Sequence, residues 1–153
     1  MVRKLRNMYN NGFYLSNHQD WHLSDSEWKA NKIINMFDEN SMSPDSICEI
    51  GCGAGGILLS LSEKMNGMCN EFTGYEISTD AYQICSKKSN DNVKFLFDNG
   101  MNSSNKSHEV ALIIDVIEHV EDCLQFLRDI KDSRLYNNYV FHIPLDISVL
   151  SVM

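Results

Sequence analysis

Four short segments of the sequence place ionisable side chains directly after apolar runs. They are Glu49 with the glycine turn that follows it, Glu76, Asp98, and the segment Asp115–His119. In open parallel sheets, side chains at the carboxyl ends of the strands line the ligand crevice. We therefore expect these groups to meet at one edge of a sheet and to form a ligand site there.

The glycine turn is the most informative of these segments. Gly51, Gly53 and Gly56 have the spacing G-x-G-x-x-G, which brings backbone close to a nucleotide-like ligand at a helix N-terminus. Glu49 precedes the first glycine by two residues. An ionised carboxylate at that place would repel a pyrophosphate and attract a ligand that carries an ammonium and a sulfonium group. S-adenosylmethionine carries both.

The turn also carries a family resemblance. The stretch Glu49-Ile50-Gly51-Cys52-Gly53-Ala54-Gly55 resembles motif I of class I S-adenosylmethionine-dependent methyltransferases, whose pattern is acid-x-Gly-x-Gly-x-Gly. The resemblance extends over about residues 24 to 145 and implies a doubly wound α/β domain with S-adenosyl-L-methionine as its cofactor. The cofactor-binding residues that it implies are Glu49, Gly51, Cys52, Gly53, Glu76, Ile77, Asp98, Asn99 and Asp115.

Each acid has a predicted partner on the ligand and an ordinary structural alternative. Glu49 is expected to bind the α-amino group, directly or through water, or else to cap the next helix. Glu76 lies 20 residues after Gly56, a spacing typical of ribose-binding carboxylates, or is a solvated acid at a strand end. By resemblance Asp98 accepts from the adenine amino group and Asn99 offers backbone contacts, although Asp-Asn-Gly is also ordinary turn chemistry.

The segment Asp115-Val116-Ile117-Glu118-His119 resembles the acid-x-x-Glu-His segment of several methyltransferase subfamilies. His119 is the predicted catalytic base or acceptor-orienting residue, and Asp115 is predicted to flank the methionyl end. A histidine packed at a helix start is the competing interpretation. A divalent metal could also be held by four candidate residues, Asp115, Glu118, His119 and His142. Only two of these four are adjacent in the sequence, so we predict no metal.

Hydrophobic periodicity predicts the elements that position these groups. Helices are expected at about 25–38, from near 54 to 67, from Ser78 to 88 and around 120–130, with strands at 46–50, 72–77, 93–97, 110–114 and 139–143. This order predicts an α/β fold with a doubly wound, mainly parallel sheet of about five strands and helices on both faces. In the first helix, Trp28 is predicted to pack in the core and Lys29 to be a solvated cation.

The domain boundaries follow from the same pattern. Residues 1–23 show no clear period and are predicted to form an N-terminal arm, and residues 24–153 to form the methyltransferase domain. The family continues after strand five with a helix and an antiparallel β-hairpin, whereas this sequence stops about eight residues after that strand. We therefore expect a C-terminally truncated domain without the hairpin, which would leave a sheet edge able to form a homodimer.

Composition excludes several classes of protein. The formal net charge of −8 argues against general nucleic-acid binding, because phosphate contacts need basic side chains. The sequence contains no signal peptide and no apolar run near the roughly 20 residues that span a bilayer, so no membrane partner is expected. No C-x-x-C pair occurs among the cysteines, which predicts reduced core thiols and a cytoplasmic location. They are Cys48, Cys52, Cys69, Cys85 and Cys123.

The function predicted from the sequence is methyl transfer to an O or N nucleophile of a small molecule. Two alternatives remain open at this point. A regulatory or scaffold domain could retain the cofactor pocket without turnover. An NAD-dependent dehydrogenase is the other, because G-x-G-x-x-G and Glu76 also fit NAD.

Overall fold

The computed structural model of the chain describes residues 23–102 and 104–144, in which helices and strands alternate. The helices are α1 (Leu23–Glu39), α2 (Gly56–Lys64), α3 (Thr79–Cys85) and α4 (Cys123–Ser133). The strands are β1 (Ser46–Ile50), β2 (Glu71–Tyr75), β3 (Val93–Leu96), β4 (His108–Ile114) and β5 (Tyr136–His142). Two short 3₁₀ turns, Ser86–Lys88 and Ile117–His119, complete the described secondary structure.

The five strands form one parallel sheet in the order β3-β2-β1-β4-β5. The strand order reverses between β1 and β4, and ligands of such sheets bind beyond the carboxyl ends of the strands at that point. The topology therefore confirms the predicted doubly wound parallel sheet. It also brings the segments that follow β1 and β4 side by side.

Two apolar clusters pack against opposite faces of the sheet. Phe37 of α1 and Leu58 of α2 are buried against one face, and Ile130 of α4 is buried against the other. Residues 110–114 of β4 are buried without interruption, as expected for a strand covered on both sides. The prediction of helices on both faces is confirmed.

Several element boundaries differ from the prediction. α2 begins at Gly56 rather than near Ala54, because Gly51, Gly53 and Gly55 have φ values of 75°, 54° and 80°, outside the right-handed helical region. β4 and β5 each begin a few residues earlier than predicted. The conformation of the glycines, rather than the apolar pattern, therefore decides where α2 begins.

The helical stripe predicted around 120–130 is only partly correct. α4 begins at Cys123, where the Asp122 side chain accepts a hydrogen bond from the backbone N–H of Gln125 at 2.9 Å. This cap leaves Val120 outside the helix, and Leu124 is 61% exposed. Among residues 120–130, Ile130 alone is fully buried.

α1 contradicts both predictions made for its polar and aromatic side chains. Trp28 is 54% exposed, and Lys29 is only 7% exposed. The core face of the helix carries Ala30 and Ile33, and Lys29 lies next to that face. Trp28 comes two residues before Ala30, so the helical repeat turns it toward nearly the opposite side.

Some predictions concern residues that lie outside the described ranges. The N-terminal arm and the C-terminal end of the domain fall in residues 1–22 and 145–153 and are not described. The cysteines carry free thiols, and four of the five are buried, whereas Cys123 is exposed. Within the described ranges, no helix combines the length and the apolar character that crossing a membrane requires.

A buried histidine at the start of β4 predicts a pH-dependent stability. His108 is 2% exposed, its Nε2 lies 3.0 Å from Thr73 Oγ1, and burial lowers its pKa below 6.5. The unfolded chain therefore takes up the proton first, so this contribution to stability is complete above about pH 6.5 and is lost as the pH falls toward the folded-state pKa. Urea unfolding should show a steeper loss of stability below pH 6.5 for the wild type than for His108→Gln, and parallel curves would contradict the prediction.

Candidate functional site

A cavity of about 350 Å³ lies at the carboxyl ends of the strands. It is lined by the segments that follow β1, β2, β3 and β4, together with residues of α1 and α4. The structure brings all the sequence-predicted site residues to this cavity. They are Glu49, Gly51, Cys52, Gly53, Glu76, Ile77, Asp98, Asn99, Asp115 and His119.

The glycine turn is held by the end of the neighbouring strand. The backbone N–H groups of Gly51 and Cys52 donate to the carbonyl oxygen of Tyr75 at 2.8 and 3.1 Å. Gly51 combines a φ of 75° with close packing, because a Cβ added there would lie 2.7 Å from Val116 Cγ2. The turn after β1 therefore packs directly on the segment after β4, and only glycine fits at position 51.

Glu76 is a buried anchor rather than a solvated acid at a strand end. It is 7% exposed, and its Oε2 accepts a hydrogen bond from the Gly53 N–H at 2.8 Å. Its Oε1 accepts from the N–H groups of Ile77 and Ser78 at 2.8 and 2.6 Å. Burial raises the pKa of Glu76, and these three hydrogen bonds oppose the rise. One carboxylate thus joins the glycine turn to the end of β2 while lining the cavity.

Glu49 lies inside the cavity with an unsatisfied oxygen. It is 2% exposed, and its Oε2 has no hydrogen-bond partner among the described residues. Burial raises the pKa of Glu49 well above its usual value, Glu76 adds to the rise, and Lys29 opposes it. Burial without a cation in contact disfavours the charged form of a carboxyl, so the structure weakens the premise that Glu49 is ionised in the free protein. An ammonium placed at Oε2 would favour the charged form.

Asp98 and Asn99 combine turn chemistry with a place at the cavity. Asp98 Oδ1 accepts from the Gly100 N–H and from Asn105 Nδ2, both at 2.8 Å. Asn99 Oδ1 accepts from the Met101 N–H at 2.9 Å, and Asn99 is exposed. The alternative interpretation as a turn therefore describes part of what these residues do. Both also line the cavity, so the predicted adenine contact stays a prediction.

Asp115 pairs with a different basic side chain through each of its carboxylate oxygens. Its Oδ2 lies 2.6 Å from Lys29 Nζ, and its Oδ1 lies 2.6 Å from His142 Nδ1. Burial alone would raise the pKa of Asp115, but the hydrogen bonds from Lys29 and His142 outweigh it and hold the pKa below its usual value. Asp115 is therefore an anion at neutral pH, and its pKa shifts in the opposite direction to that of Glu49.

His119 differs from Asp115 in having few contacts. It lies on an exposed 3₁₀ turn at the edge of the cavity, and its backbone N–H donates to Val116 at 3.0 Å. Within the described ranges, no three His, Cys, Asp or Glu side chains come close enough to hold a metal ion. Of the four residues considered for a metal, the structure brings together only Asp115 and His142.

The sequence analysis missed two groups of cavity residues. The first is Lys29, whose position beside the core face of α1 and four residues after Asp25 was a usable signal. The second group comes from the segment that leads into α4 and from its first turns, where acids alternate with apolar residues. It comprises Val120, Glu121, Asp122, Gln125, Phe126 and Asp129. No spacing rule marks such a surface, because it becomes part of a cavity only when α4 packs on the sheet.

The five parallel strands in this order, with an acid and a glycine turn at the switch point, form the arrangement expected of a class I S-adenosylmethionine-dependent methyltransferase. Comparison with known proteins agrees. Residues 20–142 match the family model described as a methyltransferase domain, which is most of the chain. The protein belongs to this methyltransferase family.

Individual relatives are more distant. Norajmaline N-methyltransferase of Rauvolfia serpentina is 29% identical over 105 residues, which are 66% of this chain and 36% of that protein. Magnesium protoporphyrin IX methyltransferase from Synechocystis PCC 6803, solved with S-adenosylhomocysteine, superposes with a TM-score of 0.73 at 12% identity, over 99% of this chain and 76% of that one. The plantazolicin methyltransferase BpumL gives a TM-score of 0.60 at 21% identity, over 86% and 48%. The chain thus spans about a third of the curated relative.

The role of Glu76 in holding the glycine turn can be tested by Glu76→Gln. The amide has one acceptor oxygen instead of two, so at least one of the three backbone donors faces an NH₂ group. We expect the free energy of unfolding to fall by about 1–3 kcal/mol in urea denaturation. Glu63→Gln, at an exposed position of α2, is the matched control and should change it by less than about 0.5 kcal/mol. Equal effects of the two substitutions would refute the anchoring role.

Proposed function

We propose that this protein binds S-adenosyl-L-methionine in the cavity at the switch point and transfers its methyl group to an N or O nucleophile of a small molecule. The single observation that supports this most strongly is the carboxyl of Glu49, a residue that lines the cavity and whose buried Oε2 has no hydrogen-bond partner among the described residues. A buried acceptor without a hydrogen bond is costly, and a ligand ammonium would satisfy it. The family match supports the same conclusion.

The described residues offer a contact to each part of such a cofactor. Glu49 and Asp115 would face its amino-acid end, where positive charge is concentrated. Glu76 and Ile77 would lie at the ribose, and the Asp98 carboxylate, with one oxygen already used in its own turn, would lie at the adenine. Gly53 leaves open space where a side chain would stand, because no atom lies within 4 Å of an added Cβ. The glycine turn therefore allows close approach of a ligand to backbone.

The chain's own contribution to the reaction is mainly alignment. The bound cofactor supplies a methyl group already activated by its sulfonium, so the protein must orient the acceptor in line and remove a proton where the acceptor carries one. Asp115 is a poor proton acceptor, because both of its oxygens are engaged and its pKa is lowered. His119 lies at the cavity edge and has no such partner among the described residues, so it is the residue we assign as base or acceptor-orienting group.

The acceptor end of the cavity favours an amine. Glu121, Asp122 and Asp129 contribute carboxylates there, while Phe126 and Val120 contribute apolar surface. Such a lining attracts a compound with a protonatable nitrogen on an apolar body and disfavours carboxylates and phosphates. The similarity to an N-methyltransferase supports the same acceptor class.

The wider context of the activity is also a proposal. Buried free thiols suit a reducing compartment, so we place the protein in the cytoplasm. The edge strand β5 exposes Phe141 to 42%, and we propose that two copies pair there. Light scattering at increasing concentration would show a dimer or contradict that pairing.

Calorimetry tests the cofactor and the role of Glu49 together. The wild type should bind S-adenosylmethionine and S-adenosylhomocysteine, and Glu49→Gln should weaken both by about tenfold or more, because it removes a charge-assisted hydrogen bond. Since the pKa of Glu49 is raised in the free protein and a cation lowers it, binding should release protons and tighten as the pH rises. Titrations in buffers of different ionisation enthalpy measure that release, which Glu49→Gln should reduce. Saturable binding of NAD without binding of either adenosyl ligand would overturn the proposal.

Turnover tests the acceptor class and His119. A panel of apolar amines, phenols and carboxylates, assayed by S-adenosylhomocysteine formation, should give activity with amines first. His119→Gln should lower kcat by about 10²–10⁴-fold while leaving the affinity for S-adenosylhomocysteine unchanged. Tight cofactor binding with no transfer to any acceptor would instead favour the scaffold alternative.

A further inference from the structure

Lys29 is an unusual cation for its surroundings. Among the described residues that line the cavity it is the only lysine or arginine, and it is 7% exposed. A buried ammonium is costly unless it is paired. Its Nζ lies 2.8 Å from Asp25 Oδ2, one turn away in α1, and 2.6 Å from Asp115 Oδ2, across the cavity edge. The second contact joins residues 86 positions apart in the sequence.

The contact with Lys29 fixes the orientation of the Asp115 side chain as well as stabilising its charge. The φ of 54° at Asp115 places this residue in the left-handed region, which is unfavourable for a residue with a Cβ. Its backbone N–H donates to the His142 carbonyl oxygen at 3.1 Å, and its side chain is held by Lys29 on one oxygen and by His142 on the other. Asp115 therefore links the segment after β4 to α1 through Lys29 and to the end of β5 through His142.

The same segment forms one wall of the cofactor crevice. Val116, the next residue, would be 2.7 Å from a Cβ at Gly51, so Asp115 lies close to the glycine turn that follows Glu49 and the end of β1. An aspartate free to rotate could turn either oxygen toward solvent or toward the backbone. With both oxygens held, its negative charge has one fixed position at the cavity.

We propose that Lys29 is a positioning residue that acts through Asp115, holding the Asp115 carboxylate as a fixed anion against the amino-acid end of the cofactor. This inference rests on the proposed S-adenosylmethionine function. It assigns to α1 a part in cofactor binding that no motif in the sequence marks. In a different role, Lys29 would bind the ligand's own carboxylate directly. The two roles predict different affinities in the variants described below.

A double-mutant cycle on the whole chain separates the two roles. Dissociation constants for S-adenosylhomocysteine would be measured by calorimetry for Lys29→Met, Asp115→Asn and the double variant. If Lys29 acts through Asp115, each single change weakens binding by about tenfold to a hundredfold, and the double variant is no weaker than Asp115→Asn alone. Additive effects, or an unchanged affinity in Lys29→Met, would overturn the inference.

Three further measurements complete the test. Lys29→Arg should restore affinity to within a few-fold, because it keeps the charge and the donor. Affinity for 5′-methylthioadenosine, which lacks the amino-acid portion, should be the same in all variants, and a loss there would mean general damage and overturn the assignment. Lys32→Met, at an exposed lysine over the Trp28 ring of the same helix, is the matched control and should bind like the wild type.

The outcomes remain interpretable if a variant is unstable. Lys29→Gln, which keeps a hydrogen-bond donor without the charge, replaces Lys29→Met in the cycle if thermal melting shows that the methionine variant does not fold. Failure of the proposed function has a different signature, since the wild type itself would then bind no S-adenosylhomocysteine. Failure of the present inference leaves wild-type binding intact and the cycle additive.

Discussion

The carboxylate of Glu76 links the two segments on which the geometry of the site depends. The turn after β1 has left-handed φ values at three glycines, so it cannot satisfy its backbone N–H groups within a regular helix or strand. Glu76 and the carbonyl of Tyr75 accept hydrogen bonds from that turn, and both belong to the end of β2. The shape of the ligand crevice is thus coupled to the pairing of β1 with β2.

Glu49 and Asp115 both place a carboxyl group at the cavity, but their pKa values shift in opposite directions. Burial without a cation in contact raises the pKa of Glu49, whereas Lys29 and His142 hold the pKa of Asp115 down. The free site therefore combines one carboxyl whose charged form is disfavoured with one whose charged form is favoured. A ligand with positive charge at one end suits this arrangement, because it can ionise the first and pair with both.

Much of this arrangement could be predicted because it follows from neighbours in the sequence. Glycine spacing, the acid two residues before it and the apolar runs determine where strands end, and a parallel sheet then gathers those ends at one edge. The positions of Glu49, Glu76 and Asp98 at the cavity follow from that rule. Boundaries were less accurate where a cap or a glycine conformation, as at Asp122 and Gly55, decided the start of a helix.

The sequence by itself determined the order of strands and helices, the family and the residues that the strand ends bring to the cavity. The tertiary structure alone decided how those residues behave. Lys29 is buried because a carboxylate from a distant segment meets it, and the pKa of Glu49 is raised because the packed sheet excludes water from it. Burial, pairing and ionisation depend on which distant groups share a low-dielectric space, and local patterns of residues do not contain that information.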